Sequence, residues 1–386
     1  MKRKIVLLGA TGSIGDSTLE VVRANPDRLE IVGIAANKNW KKLAEIAREF
    51  SVPHVAISDE AAFEAGKGAF GGAKLYKGAR GLEEISTLDC FDTLVAAVVG
   101  TDALIPTMSA IKCKKDIALA NKEILVMSGK FMMEAARQNG VKMLPLDSEH
   151  NAIFQCIQGE RKEDIQNLII TASGGMFRDY TFDQMQKIRP EDAMKHPNWN
   201  MGVKVTIDSS TLANKGLEVI EAKWLFDVSP EQIEVVVHRQ SIVHSMVRFK
   251  DGSILAHMAP PSMTFPIEHS LLVPGRGRQI LPSVDFTKRL NLDFAPPDTS
   301  RFPCLRHAFD ALKAGGTATA VFNASNEVAV ANFIKGKISW LDIPKVVGAA
   351  LEQIDCSAVN SIEELLQRDA FARIKSAEIA EKLCGK

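Results

Sequence analysis

The stretch "KIVLLGATGSIGDSTLEVV" constrains the fold of this chain more than any other. Residues 4–9 form a continuous apolar run, as a strand covered on both faces of a parallel sheet requires, and a glycine-rich turn and a helical pattern follow at once. The rhythm repeats: "LEIVGIAA", "HVAIS", "TLVAAVVG", "DIALA" and "KMLPL" read as strands, with "NWKKLAEIAREF", "LIPTMSAIKC" and "SGKFMMEAARQNG" as helices between them. Such alternation over about 146 residues predicts a doubly wound α/β domain. In the turn, Gly9, Gly12 and Gly15 recur every third residue. Glycines there let the backbone bend and approach a phosphate seated on the helix N-terminus. A dinucleotide is the expected ligand, and a plain tight βα turn is the alternative.

The second strand ends at Ala36 and runs into Asn37, Lys38 and Asn39, with no acid to take the ribose 2′-OH of NADH. A cation beside two amides suits a 2′-phosphate, so NADPH is the expected cofactor. "LANKEILV" sets Asn121, Lys122 and Glu123 just after a later strand, on the sheet edge where such folds bind ligands.

After Asp147 the pattern changes. "QNLIITAS", "IEVVVH", "SMVRFKDG" and "SILAHMA" read as strands, the last two as a hairpin turning at Asp251-Gly252, and predict an α+β region with a largely antiparallel sheet up to residue 273. Residues 274–303, rich in Pro and Gly, read as a linker, and residues 304–386 as a C-terminal helical bundle. Lys+Arg and Asp+Glu both number 47, which argues against nucleic acid or an anionic membrane as partner. No signal segment or membrane-length run is visible, and six scattered cysteines suit a reducing compartment, so a cytoplasmic protein is expected.

Two loops look built for an anion. "TASGGMF" offers Ser173 with Gly174 and Gly175, whose N–H groups can form a nest. "IDSSTLANKGLE" offers Ser209, Asn214, Lys215 and Glu218. In a helix over 214–226, Asn214 and Glu218 share a face with Lys215 beside them, while Leu217, Ile220 and Trp224 turn to another side. Hydroxyls, an amide and an ammonium are what a phosphate monoester needs. "LPLDSEHNAIFQC" sets Asp147, Ser148, Glu149 and His150 in a row. Helix capping explains Asp and Ser there. In an extended segment, instead, Asp147 and Glu149 point to one side and repel unless a cation or a proton sits between them. With Glu218 as a third oxygen ligand the set suits Mg²⁺ or Mn²⁺, although spacing alone does not bring Glu218 to the pair.

Taken in order, "GATGSIG", "LANKE", "LDSEHNAIFQ", "SGG", "HPNWNMG", "DSSTLANKGLE" and "NASNEVAV" resemble the 1-deoxy-D-xylulose-5-phosphate reductoisomerase family. The resemblance covers the whole chain. It implies a homodimer whose protomer has a Rossmann-like NADPH domain (1–146), a catalytic domain (147–273), a linker (274–303) and a helical domain (304–386). It implies Asp147, Glu149 and Glu218 as ligands of a divalent ion (Mg²⁺, Mn²⁺ or Co²⁺), with Lys122 and His196 also in the catalytic set. Ser148, Ser173, His196, Ser209, Asn214 and Lys215 would hold the sugar phosphate beneath a flap, "HPNWNMG", covered by Trp199. Thr11, Gly12, Ser13, Ile14, Ala36, Lys38, Asn39, Asn121, Glu123 and Gly202 would meet the cofactor. The implied reaction rearranges the carbon skeleton of 1-deoxy-D-xylulose 5-phosphate and then reduces the resulting aldehyde with NADPH. Two rivals remain at this point. An ordinary NADP-dependent dehydrogenase would need no metal and leave the skeleton intact, and a non-catalytic NADPH sensor would turn nothing over.

Overall fold

The computed structural model describes residues 2–194 and 202–384, which pack as two compact units. Met1–Ile124, Met132–Asn151 and Ser262–Ser283 make the first. Its seven strands are β1 (Arg3–Leu8), β2 (Leu29–Ala36), β3 (His54–Ile57), β4 (Lys74–Lys77), β5 (Thr93–Ala96), β6 (Asp116–Leu119) and β7 (Met143–Pro145). They lie in the order β4-β3-β2-β1-β5-β6-β7, every pairing parallel. The expected doubly wound domain is present. Ile5 to Leu8 and Leu94 to Ala96 are fully buried, as the apolar runs required. Chain direction across the sheet reverses between β1 and β5, the switch point where a ligand crevice opens at the carboxyl ends of strands.

Two features of this unit depart from the expectations. Strand β4 was not foreseen: "KLYK" is an edge strand in which only Tyr76 is buried, so it carries no apolar run. Strand β5 stops at Ala96 instead of running to Gly100, where φ is +80° and the chain has left the sheet.

The second unit comprises Leu125–Phe131, Ala152–Pro261 and Val284–Lys386. Its sheet has the order β11-β10-β8-β9, with β8 Ile165–Ala172, β9 Ile233–Val237, β10 Val243–Phe249 and β11 Ile254–Met258. The β10–β11 hairpin and the β8–β10 pair are antiparallel, while β8–β9 is parallel. Helices Cys304–Ala314, Ala318–Ile334, Ile343–Gln353 and Ile362–Leu383 confirm the helical C-terminal region. One hydrophobic core joins these helices to the sheet, running from Leu168 and Ile170 through Leu217 and Ile220 to Phe322 and Trp340. Helix Thr264–Leu272 packs in the first unit, where Asn151 donates to Pro266 O at 3.2 Å and to Ser270 Oγ at 2.9 Å.

Candidate functional site

In the first unit, the turn after β1 is built by glycines doing different jobs. At Gly9, φ is +84° and a Cβ would stand 2.4 Å from Ala97 O; at Gly15 it would stand 2.4 Å from Ala10 O. Those two glycines are demanded by the protein's own backbone. Gly12 is different: φ is −89°, ψ is 178°, and a Cβ would make only an ordinary 3.5 Å contact with Gly9 O. It begins helix Ser13–Ala24, which has no side-chain cap, and both Gly12 and Ser13 are exposed between half-buried Thr11 and Ile14. First-turn N–H groups thus stay available to an anion. Lys42, which no motif in the sequence marks, donates to Thr11 O at 3.2 Å and pairs with Asp16 at 2.7 Å, bracing this turn.

Strand β2 ends at buried Ala36, and exposed Asn37, Lys38 and Asn39 follow. Asn39 caps helix Trp40–Glu49 by accepting from Lys42 N. Lys38 Nζ lies 4.0 Å from Asp59, an acid brought alongside by the β2–β3 register. Asn121 is buried and its side chain is fully engaged. It caps helix Lys122–Asn139 at Ile124 N, 3.1 Å, and donates to Val98 O and to Gly100 O at 2.6 Å. Its structural work is to hold the loop beyond β5.

The carboxylate row is a strand-to-helix turn, which corrects the expectation of an extended segment with alternating side chains. Strand β7 ends at Pro145 and helix Ser148–Cys156 starts immediately, so Asp147 sits at the helix start and accepts from Glu149 N at 3.2 Å. Free N–H groups of a first turn favour a carboxylate at that position over continued strand. Ser148 donates to Glu149 Oε2 at 2.6 Å. Lys122 Nζ stands 2.5 Å from Asp147 Oδ2, and His150 Nδ1 3.4 Å from Oδ1. Burial pushes the Asp147 carboxyl up, but the Lys122 ammonium and His150 outweigh it, holding the group well below the usual carboxylate range. Lys122 and Glu123 are themselves buried. Asn151, another residue unmarked in the sequence, donates to Pro145 O at 3.2 Å and locks the turn from behind.

In the second unit, Ser173 follows β8 and its hydroxyl accepts from Gly175 N at 3.3 Å. Gly174 and Gly175 have φ of +82° and +68°, and a Cβ on Gly175 would lie 2.6 Å from Ser209 O. Only glycine lets the Ser173 loop lie against the backbone of Ser209. Arg178, also unforeseen, clamps the loop by donating to Gly175 O at 2.9 Å. Helix Ala213–Phe226 forms as expected. Asn214 and Lys215 both donate to the buried Glu218 carboxylate, and Leu217 and Ile220 turn into the core. Gly202, exposed, begins helix Val203–Ser210. His196 and Trp199 lie outside the described residues.

Family models for 1-deoxy-D-xylulose 5-phosphate reductoisomerase match residues 5–129 and, for its C-terminal domain, 143–226; a model of the DXP reductoisomerase C-terminal domain matches 258–375. The chain is 45% identical to the 1-deoxy-D-xylulose 5-phosphate reductoisomerase of Pelotomaculum thermopropionicum over 99% of both proteins. It is 46% identical to that of Chlorobaculum tepidum, over 99% of this chain and 100% of the relative. The solved structure of the Zymomonas mobilis enzyme in complex with NADPH is 42% identical with a TM-score of 0.94, covering 99% of this chain and 100% of that one. A DOX-P reductoisomerase in complex with NADPH, fosmidomycin and magnesium is 39% identical with a TM-score of 0.92, over 99% and 98%.

Proposed function

This chain belongs to the 1-deoxy-D-xylulose 5-phosphate reductoisomerase family, and from that premise we propose how its residues carry the family's reaction. The protein is an NADPH- and divalent-metal-dependent enzyme that converts 1-deoxy-D-xylulose 5-phosphate to 2-C-methyl-D-erythritol 4-phosphate, a step of non-mevalonate isoprenoid precursor synthesis. Its N-terminal region, residues 1–146, binds NADPH, residues 147–273 carry the catalytic groups, and the helical residues 304–386 follow the 274–303 linker.

The observation that carries the residue assignments is the polar cluster of the second unit. Asn214 and Lys215 converge on buried Glu218, and the Ser173 loop lies on the backbone of Ser209. We assign Ser173, Ser209, Asn214 and Lys215 to the sugar phosphate and its neighbouring hydroxyls, with Ser148 on the reacting oxygens. Asp147, Glu149 and Glu218 are assigned to the metal; bringing Glu218 to the other two is part of the proposal. All three supply hard oxygen donors. The lowered pKa of Asp147 and the Lys122 ammonium paired with it support the reading of this turn as a place for positive charge. Bound, the ion supplies Lewis acidity toward adjacent substrate oxygens, and NADPH supplies the hydride. Lys122 orients Asp147 and stabilises anionic charge on the substrate, and Asn151 keeps both carboxylates at their turn.

For the cofactor, Thr11 to Ile14 receive the pyrophosphate on the uncapped helix start, and Lys38 and Asn39 take the 2′-phosphate, with Ala36, Asn121, Glu123 and Gly202 around the dinucleotide. His196 is assigned to the substrate oxygens, and Trp199 to an apolar cover that keeps water from the aldehyde. A homodimer in the cytoplasm completes the reading. The open edge of the second sheet, where β11 exposes Ile254 and Leu255, supports a dimer, and among the described residues no helix is long and apolar enough to cross a membrane. Incubating the protein with 1-deoxy-D-xylulose 5-phosphate, NADPH and Mg²⁺ while following nicotinamide absorbance tests the whole. Oxidation of NADPH that stops on chelation, with a branched polyol phosphate as product, is the expected result. Metal-independent oxidation with an unbranched product overturns it.

A further inference from the structure

We propose that Asn326 and Trp340, both in the C-terminal helical region, are positioning residues for the sugar phosphate, fixing Ser209 through its two neighbours. The proposal rests on the assignment of Ser209 to the phosphate. Ser209 is half-buried near the end of helix Val203–Ser210, in the second unit with both clamps. On one side of it, the Asp208 carboxylate is 1% exposed, accepts from Asn326 Nδ2 at 2.8 Å and lies 3.0 Å from Lys204 Nζ. On the other side, the Ser210 hydroxyl accepts from the indole N–H of Trp340 at 2.9 Å and donates to Ile207 O at 2.7 Å. Asn326 and Trp340 are themselves buried, so neither reaches solvent or a ligand directly.

Trp340 also braces the second phosphate loop. Its ring packs edge-on against Phe177, with centroids 5.6 Å apart, and against Phe302 at 6.0 Å. Phe177 closes the segment that begins at Ser173, and Gly175 within that segment rests on Ser209 O. One side chain therefore bears on both serine loops. Apolar packing alone would hold the helix end in place but leave its rotation soft. A buried carboxylate with a directed amide donor, and a hydroxyl with a directed indole donor, fix rotation as well as position. Retaining a desolvated Asp208 is otherwise a poor way to stabilise a helix, since well-packed apolar groups serve at least as well.

The test compares Trp340→Phe, which keeps an aromatic ring and removes the donor, with Asn326→Ala in the full-length enzyme. Readouts are kcat and KM for 1-deoxy-D-xylulose 5-phosphate, NADPH affinity, thermal midpoint, and affinity for 1-deoxy-D-xylulose, which lacks the phosphate. Each variant should raise KM for the phosphorylated sugar by about 10-fold, within the roughly 100-fold that a 1 Å misplacement of a binding group costs. NADPH affinity and affinity for the phosphate-free sugar should stay within about twofold of the parent. Trp340→Phe keeps the test open if Asn326→Ala fails to fold. A lowered thermal midpoint with unchanged KM, or a parallel loss of NADPH and of the phosphate-free sugar, overturns the proposal. Absence of turnover by the parent would instead strike the function assigned above, so the two failures are distinguishable.

Discussion

Alanine at Gly9 and at Gly12 should separate folding from cofactor binding within a single turn. At Gly9 the methyl group would lie 2.4 Å from Ala97 O on a backbone with φ of +84°. The left-handed conformation costs about 1–2 kcal/mol for a residue with a Cβ, and overpacking against a fixed backbone adds roughly 1–3 kcal/mol. At about 2–4 °C per kcal/mol for units of this size, Gly9→Ala should lower the thermal midpoint by several degrees or more. At Gly12 the backbone is extended and the nearest atom is 3.5 Å from the new methyl. The only folding cost is that of alanine at a helix start, at most about 1 kcal/mol. A phosphate approaching the first-turn N–H groups would meet that methyl and forfeit at least one charged hydrogen bond, about 1.5–3 kcal/mol. That corresponds to roughly 10- to 150-fold in Kd. Differential scanning fluorimetry and NADPH titration by nicotinamide fluorescence give the two numbers. Parent-like NADPH affinity in Gly12→Ala, or a parent-like midpoint in Gly9→Ala, would refute the division of labour.

Glu218→Gln keeps the shape but removes an anionic oxygen, and should cut activity by at least roughly 10–100-fold, with a higher Mg²⁺ requirement; unaltered kcat/KM at low Mg²⁺ would remove Glu218 from the metal. Lys38→Ala should lower the NADPH-over-NADH ratio of kcat/KM by about 10-fold, toward the weak end of a charged contact because Asp59 stands 4.0 Å away. An equal loss for both cofactors would show that Lys38 does not read the 2′-phosphate. Burial, and then the Arg276 charge, lowers the His269 imidazole from 6.5 to about 4. The unfolded chain therefore takes up this proton first, so the stability tied to neutral His269 is full above about pH 6.5 and is lost as pH falls toward 4. Urea midpoints should decline over that window in the parent and less steeply in His269→Gln, and identical slopes would count against it.

Legibility followed the range of the interactions. The Rossmann-like sheet was readable because strands buried on both faces must be apolar throughout, while β4 escaped because an edge strand with lysines at both ends shows no such run. At residues 147–149 the sequence posed capping and metal binding as rivals; the fold shows the helix start, and a start of that kind leaves the proposed metal role open to the same two carboxylates. A helix start holds Asp147 through Glu149 N, and the same turn presents both carboxylates. The clamps on Ser209 could not be read at all: Asn326 lies 118 residues from Asp208, and Trp340 lies 130 from Ser210. No local spacing encodes such pairs. Even a motif that is legible mixes two kinds of demand. In "ANKGLE", Asn214, Lys215 and Glu218 meet one another, whereas Leu217 is core and Gly216 is held by packing, since a Cβ there would lie 2.6 Å from that of Ala308. Gly216→Ala should therefore separate helix Ala213–Phe226 from helix Cys304–Ala314 and lower the thermal midpoint, without removing any polar group from the cluster. A variant as stable as the parent would place the reason for that glycine with the ligand instead.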